Sequence, residues 1–132
     1  MSHRFDLRVY YEDTDLAGIV YYANYLRFIE RARSEWVRAL GVDQKAMKAQ
    51  GVVFAVRRLE ADYLSPARFD DVVTVETDVV QITGARIVLH QRVVRDATPL
   101  FDAQVMLVAL TDQGAAARLP AKFRQALQQS VI

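Results

Sequence analysis

The chain contains no cysteine, which excludes disulfides, thiolate nucleophiles and cysteine-based metal sites together. Histidine is nearly as scarce, with two residues in 132. There is no His-x-x-x-His pair, no glycine-rich phosphate loop and no Gly-x-Ser-x-Gly elbow. An enzyme built from this inventory works with carboxylates, hydroxyls and backbone dipoles, and needs no metal or other cofactor. An excess of either charge is lacking too: the net charge is +1, and no basic run is interleaved with aromatics, so a nucleic-acid partner is not expected. No apolar run approaches the roughly 20 residues of a membrane-spanning helix. The start, Met1-Ser2-His3-Arg4-Phe5-Asp6, is charged and lacks the apolar core of a signal peptide. The expectation is a soluble, cytoplasmic protein.

A composition of 52% hydrophobic and 25% charged residues can build a core, and the length fits one domain over residues 1–132. Phe5, Leu7, Val9 and Tyr11 alternate with polar neighbours and predict a half-buried strand. From about Ala23 to Leu40 the period becomes helical. Tyr25, Phe28, Ala32, Trp36 and Ala39 form a stripe widened by Ile29 and Leu40, opposite Arg27, Arg31, Ser34 and Arg38. Glu35 is spaced to pair with Arg31 or Arg38. Gly41 stops this helix, and Asp43 caps a short one over residues 44–49. Val52 to Val56 is apolar on both faces, so both faces need cover there, part of which a second subunit could supply. Strands follow around Val73–Val79, over Arg86–Arg95, and after a turn at Ala97-Thr98-Pro99, where Phe101, Ala103, Val105, Leu107 and Ala109 share a face. Pro120 opens a terminal helix. The fold class is α+β: a curved five-stranded antiparallel sheet packed on one long central helix.

Between the first strand and that helix lies Tyr11-Glu12-Asp13-Thr14-Asp15, then Gly18 and the run Ile19-Val20-Tyr21-Tyr22-Ala23-Asn24-Tyr25. Carboxylates at a helix entrance ordinarily cap its free N–H groups and complement its dipole. The wider pattern carries more. This loop, followed by Glu30-Arg31-Ala32-Arg33, Tyr63-Leu64-Ser65-Pro66-Ala67-Arg68-Phe69-Asp70-Asp71 and Gln91-Arg92-Val93, resembles the hotdog-fold acyl-CoA thioesterases. The similarity is to the 4-hydroxybenzoyl-CoA thioesterase type, and in particular to its Tol-Pal-associated bacterial members. It covers nearly the whole chain.

The resemblance implies a hotdog fold and hydrolysis of an acyl-CoA to free acid and CoA. It implies homotetramers, as dimers of dimers with active sites at subunit interfaces, and it admits an acyl carrier protein as a partner. It assigns Asp15 as the catalytic carboxylate, acting as nucleophile or general base. Asp13 instead holds the loop through backbone hydrogen bonds. The backbone N–H of Tyr22, at the mouth of the central helix, polarises the thioester carbonyl, and Gly18 lets the chain turn closely past the substrate. Many Tol-Pal-associated members carry histidine where this chain has Tyr22, whereas the aromatic-thioesterase members carry tyrosine. In related enzymes some CoA-phosphate contacts come from the turn between the third and fourth strands; Arg86 lies just after the corresponding turn here and is the candidate for such a contact, with Arg57 and Arg58 also near the rim. Another branch of the family puts its acid on the central helix, which makes Glu30 or Glu35 the alternative carboxylate. A hydratase would need a histidine in the helix region, and neither His3, at the chain terminus, nor His90, in mid-strand, is so placed. A non-catalytic acyl-carrier or envelope-complex partner that keeps the fold is the remaining alternative.

Overall fold

The computed structural model describes residues 2–129; Met1 and residues 130–132 of the expected span lie outside the described residues. Strands β1 (His3–Arg8), β2 (Val52–Tyr63), β3 (Val72–Ile82), β4 (Arg86–Arg95) and β5 (Thr98–Thr111) form one antiparallel sheet in the order β1-β3-β4-β5-β2. Helix α1 (Asn24–Ala39) lies across one face, followed by α2 (Gln44–Ala49), with α3 (Ala121–Gln128) at the end of the described chain. This is the α+β arrangement that the sequence predicts.

Period-two alternation decides which side of the sheet meets α1. Val73, Val75 and Val79 of β3, Ile87, Leu89 and Val93 of β4, and Phe101, Ala103, Val105, Leu107 and Ala109 of β5 are all buried. The helix contributes Tyr25, Phe28, Ile29, Ala32, Trp36 and Val37. Ala39, expected in this stripe, is exposed, and Val37 takes the inward place: the rotation of the last turn favours position 37 at 3.6 residues per turn. Trp36 packs edge-on against Phe123 of α3, 6.4 Å between ring centres. Of its two expected partners, Glu35 pairs with Arg38.

The end of α1 follows directly from Gly41, whose φ is +81°. Its N–H donates to the Arg38 carbonyl and the Val42 N–H to the Val37 carbonyl, the two bonds of a Schellman motif. The Asp43 carboxylate then accepts from the Lys45 and Ala46 amides and caps α2 as expected.

Three further expectations change on contact with the structure. The first strand ends at Arg8, because residues 11–13 form a turn of 3₁₀ helix, and Tyr11 is exposed. The β4–β5 turn is Asp96-Ala97, with φ of +48° and +69°, the two-residue hairpin geometry whose twist matches the flanking strands. Thr98 and Pro99 therefore belong to β5, opposite Arg95 and Val94. Pro99 is tolerated because β2 pairing ends at Phe101, so no ladder bond is lost on that side. His3, expected at the chain terminus outside any strand, is the first residue of β1.

The change of pattern at Arg57 has a structural cause: the register of β2 against β5 shifts between Val56 and Arg58. Such a bulge bends the strand and resets which face each residue takes. Val52 to Ala55 are only half-buried and Val56 is 47% exposed. Within this chain, then, the doubly apolar segment is incompletely covered, and the outer edge of β2 has no neighbouring strand among the described residues. No helix among the described residues is long and apolar enough to cross a membrane.

Candidate active site

Residues 10–25 fold into a doubled-back loop that delivers the chain to the mouth of α1. Asp13 is its anchor. The buried carboxylate accepts from the Tyr10 amide at 2.8 Å. The Asp13 carbonyl accepts from the Tyr21 amide at 2.9 Å and from the Asn24 side-chain amide at 2.9 Å. This is the loop-holding role expected of it. The Asp15 amide donates to the Ile19 carbonyl, and the Gly18 amide donates to the Asp15 carbonyl, both at 3.0 Å. The loop is fastened to the 64–71 segment by the Val20 amide, which donates to the Ala67 carbonyl at 2.8 Å, and by pairing of Ile19 with Arg68.

Asp15 is exposed on this loop. One carboxylate oxygen accepts from the Ala17 amide at 2.9 Å, an Asx-type turn that fixes the side chain's direction. The other oxygen has no partner among the described residues. Gly18 has a φ of +78°, which explains the glycine, while a Cβ there would meet nothing within 4 Å. Its requirement is conformational rather than one of close approach within this chain.

The mouth of α1 is unusual in what it omits. Ala23 stands at the N-cap and cannot supply a side-chain oxygen. The amides of Tyr22 and Ala23 make no hydrogen bond among the described residues, so the positive end of the helix is left open. The Tyr21 carbonyl accepts from the Asn24 amide at 2.8 Å, and the Tyr22 carbonyl accepts from the Tyr63 hydroxyl at 2.9 Å.

Beside this mouth is a cavity of about 320 Å³ between α1 and the end of β2, walled by Ile19, Val20, Tyr22, Tyr25, Tyr63 and Leu64 and closed by Ser65 and Pro66. Its floor is an aromatic cluster. Tyr25 stacks on Phe101 with ring centres 5.0 Å apart and 10° between planes, and Tyr63 stands edge-on to both. The Tyr25 hydroxyl accepts from the buried Ala67 amide at 2.9 Å. Burial raises the pKa of both the Tyr25 and Tyr63 hydroxyls, so both stay protonated at neutral pH. Asp15 does not line this cavity itself; the returning limb of its loop, Ile19 and Val20, forms one wall.

The other expected residues are dispersed. Arg86 opens β4 opposite Val108, seven residues along β5 from the Tyr63–Phe101 pair, which is about 20 Å of strand. Within one chain it is not brought to the Asp15 loop. Arg58 pairs with Glu60 on the exposed side of β2. Glu30 accepts from the Ser34 hydroxyl at 3.2 Å rather than pairing with Arg27 or Arg33, and with Ser34 it lines a separate cavity of about 200 Å³. Glu35 is occupied by Arg38. His90 is bound to Asp102 at 2.9 Å. The His3 Nδ1 is buried without a partner among the described residues, and burial lowers its pKa against the opposing charge of Glu35. No cluster of potential metal ligands occurs among the described residues.

Two features were missed from sequence. Tyr63 looks like one more alternating strand residue, yet it reaches across to Tyr22. Gln91 is fully buried: its amide nitrogen donates to the Ile29 carbonyl at 3.0 Å and the Thr77 hydroxyl at 2.9 Å, and its oxygen accepts from Arg33 at 2.9 Å. The signal was available, since Gln91 interrupts the inward series Ile87, Leu89 and Val93.

Comparison with known proteins gives a consistent picture. Residues 9–127 match the family model described as the thioesterase-like superfamily. The acyl-CoA thioester hydrolase YbgC of Escherichia coli is 38% identical over 130 residues, covering 98% of this chain and 92% of the relative. The acyl-CoA thioesterase YbgC of Haemophilus influenzae is 45% identical over 111 residues, covering 83% and 81%. The crystal structure of a probable thioesterase from Bartonella henselae superposes with a TM-score of 0.87 at 35% identity, covering 91% of this chain and all of that one.

Proposed function

The chain belongs to the thioesterase-like superfamily, and from that premise we propose that it hydrolyses acyl-CoA thioesters to the free acid and CoA, with Asp15 as the reacting carboxylate and the Tyr22 N–H as the oxyanion donor. The reading rests chiefly on the uncapped entrance of α1, whose Tyr22 and Ala23 amides lack partners among the described residues, beside an apolar cavity. A thioester is already activated, so two things are needed: a donor for the developing oxyanion and a group that delivers oxygen to the carbonyl carbon. The Tyr22 amide, in the field of the helix dipole, is suited to the first. The Asp15 oxygen left free by Ala17 is suited to the second. It either attacks the carbonyl carbon, expelling CoA thiolate and leaving an anhydride that water hydrolyses, or takes the proton of the attacking water.

This reading makes the working enzyme an assembly of copies, a dimer of dimers in the cytoplasm. Leu16, Tyr11, Tyr21, Tyr22, Leu64 and Phe69, on the loop and on the 64–71 segment fastened to it, are all exposed, apolar surface that a partner can cover. A second copy would cover it and bring its own cations towards the CoA phosphates, which accommodates the distance between Arg86 and Asp15. Thiol release measured across short, long and aromatic acyl-CoAs, and across acyl carrier protein thioesters, tests the activity. Asp15→Asn should fold and bind acyl-CoA while kcat falls at least about 100-fold. Failure of the native protein to cleave any of these thioesters, or near-native turnover by Asp15→Asn, overturns the reading.

A further inference from the structure

A helix entrance that is meant to hold a ligand oxygen has a difficulty. The usual way to fix its geometry is an N-cap side chain, and a cap consumes amides that a ligand would need. Here Ala23 occupies that position, so the entrance is fixed by other means. One restraint is local, the Asn24 amide donating to the Tyr21 carbonyl at 2.8 Å, which orients the peptide that carries the Tyr22 N–H. The other comes from 41 residues away, the Tyr63 hydroxyl donating to the Tyr22 carbonyl at 2.9 Å. Both restraints act on carbonyls, and neither uses the amide of Tyr22 or of Ala23.

Tyr63 is built to exert this restraint. It is the last residue of β2, tied through the ladder to Phe101. Its ring is held edge-on by Phe101 at 5.0 Å, Tyr25 at 5.6 Å and Tyr22 at 6.1 Å. The hydroxyl is thereby carried on the sheet, whereas Tyr22 sits on the loop. We propose that Tyr63 is a positioning residue for thioester cleavage: its hydroxyl holds the Tyr22–Ala23 peptide by its carbonyl, while the Asn24 amide holds the preceding peptide, so that Tyr22 is fixed from both sides at the helix mouth without a cap that would consume its N–H. This rests on the proposed role of the Tyr22 amide and adds to it the group that keeps that amide in place.

Tyr63→Phe keeps the ring and removes only the hydroxyl. For the whole protein, kcat should fall about tenfold, less than for loss of a direct oxyanion donor, with KM for acyl-CoA within about twofold because ground-state binding is retained. The melting temperature should stay within about 3 °C, as for loss of a single half-exposed hydrogen bond. A direct readout is independent of activity. Tyr-Ala occurs once in the chain, at Tyr22-Ala23, so carbonyl-¹³C tyrosine with ¹⁵N alanine gives a single correlated peak for that peptide. Its carbonyl resonance should move upfield in Tyr63→Phe.

Unchanged kcat, or an unmoved carbonyl resonance, overturns the proposal. So does a raised KM at unchanged kcat, which would make the hydroxyl a substrate ligand. A melting temperature lowered by more than about 5 °C alongside the lost kcat would make Tyr63 a stability residue and overturn it as well. The outcomes separate from those for the reaction itself: an active native protein inactivated by Asp15→Asn but indifferent to Tyr63→Phe defeats only the positioning role.

Discussion

Asp71 shows how closely single side chains bind the site to its frame. Burial opposes ionisation of its carboxyl, but the Arg68 amide at 2.8 Å and the Arg95 guanidinium at 2.7 Å outweigh it, so its pKa lies below the ordinary 3.8. Arg95 also donates to the Pro66 carbonyl at the cavity's edge. A carboxyl with a depressed folded pKa contributes stability that is complete above its unfolded value and is lost as pH falls through the folded one. The melting temperature of the native protein should therefore drop as pH is lowered from about 4. In Asp71→Asn it should start lower at neutral pH and fall less over that acid range, as measured by circular dichroism melts. At this scale the sequence was informative about Asp13, whose spacing suits a loop anchor, and silent about Tyr63 and Arg95. Their partners are distant in sequence, and nothing local in an alternating strand marks a residue whose hydroxyl or guanidinium will meet a loop.

Among the elements, α1 and α2 were legible nearly to the residue because their stops are local chemistry. Gly41 needs a positive φ and Asp43 needs two free amides, and both demands are met within a few residues of chain. Gly41→Ala tests this: nothing lies within 4 Å of the new Cβ, so the cost is the left-handed backbone alone, about 1 kcal/mol. A melting temperature about 3–5 °C lower, with unchanged activity, is expected. The strands were legible by period, and the irregularity at Arg57 proved to be a register shift. The end of β1 was not, since Val9 and Tyr11 continue the alternation while the Asp13 carboxylate draws the Tyr10 amide out of the strand. The β4–β5 turn was misplaced because Pro99 is a strong turn signal. The hairpin instead uses Asp96 and Ala97, and Pro99 falls where the neighbouring strand has ended.

For the whole molecule, the sheet leaves β2 as an edge with half-covered valines, and the loop of Asp15 surrounds itself with exposed aromatic and aliphatic groups. Both features make sense if a second copy packs here. Sedimentation velocity should then return a multiple of the 15.0 kDa chain. Val56→Lys, which puts a charge on that edge, should lower the assembly size and thioester cleavage together. The distribution of cations was the least legible property, because Arg86 stands far along the sheet from the Asp15 loop within this chain, and one sequence holds no record of which residues face each other across strands. The indole of Trp36 is the only one in the chain, and it lies beyond the eleventh residue of a helix whose first turn adjoins the cavity, roughly 18 Å away along the axis. Its emission will thus follow melting of the interior near Phe123 and remain quiet when a ligand docks among the tyrosines. A binding titration read by intrinsic fluorescence needs a new fluorophore introduced close to the cavity.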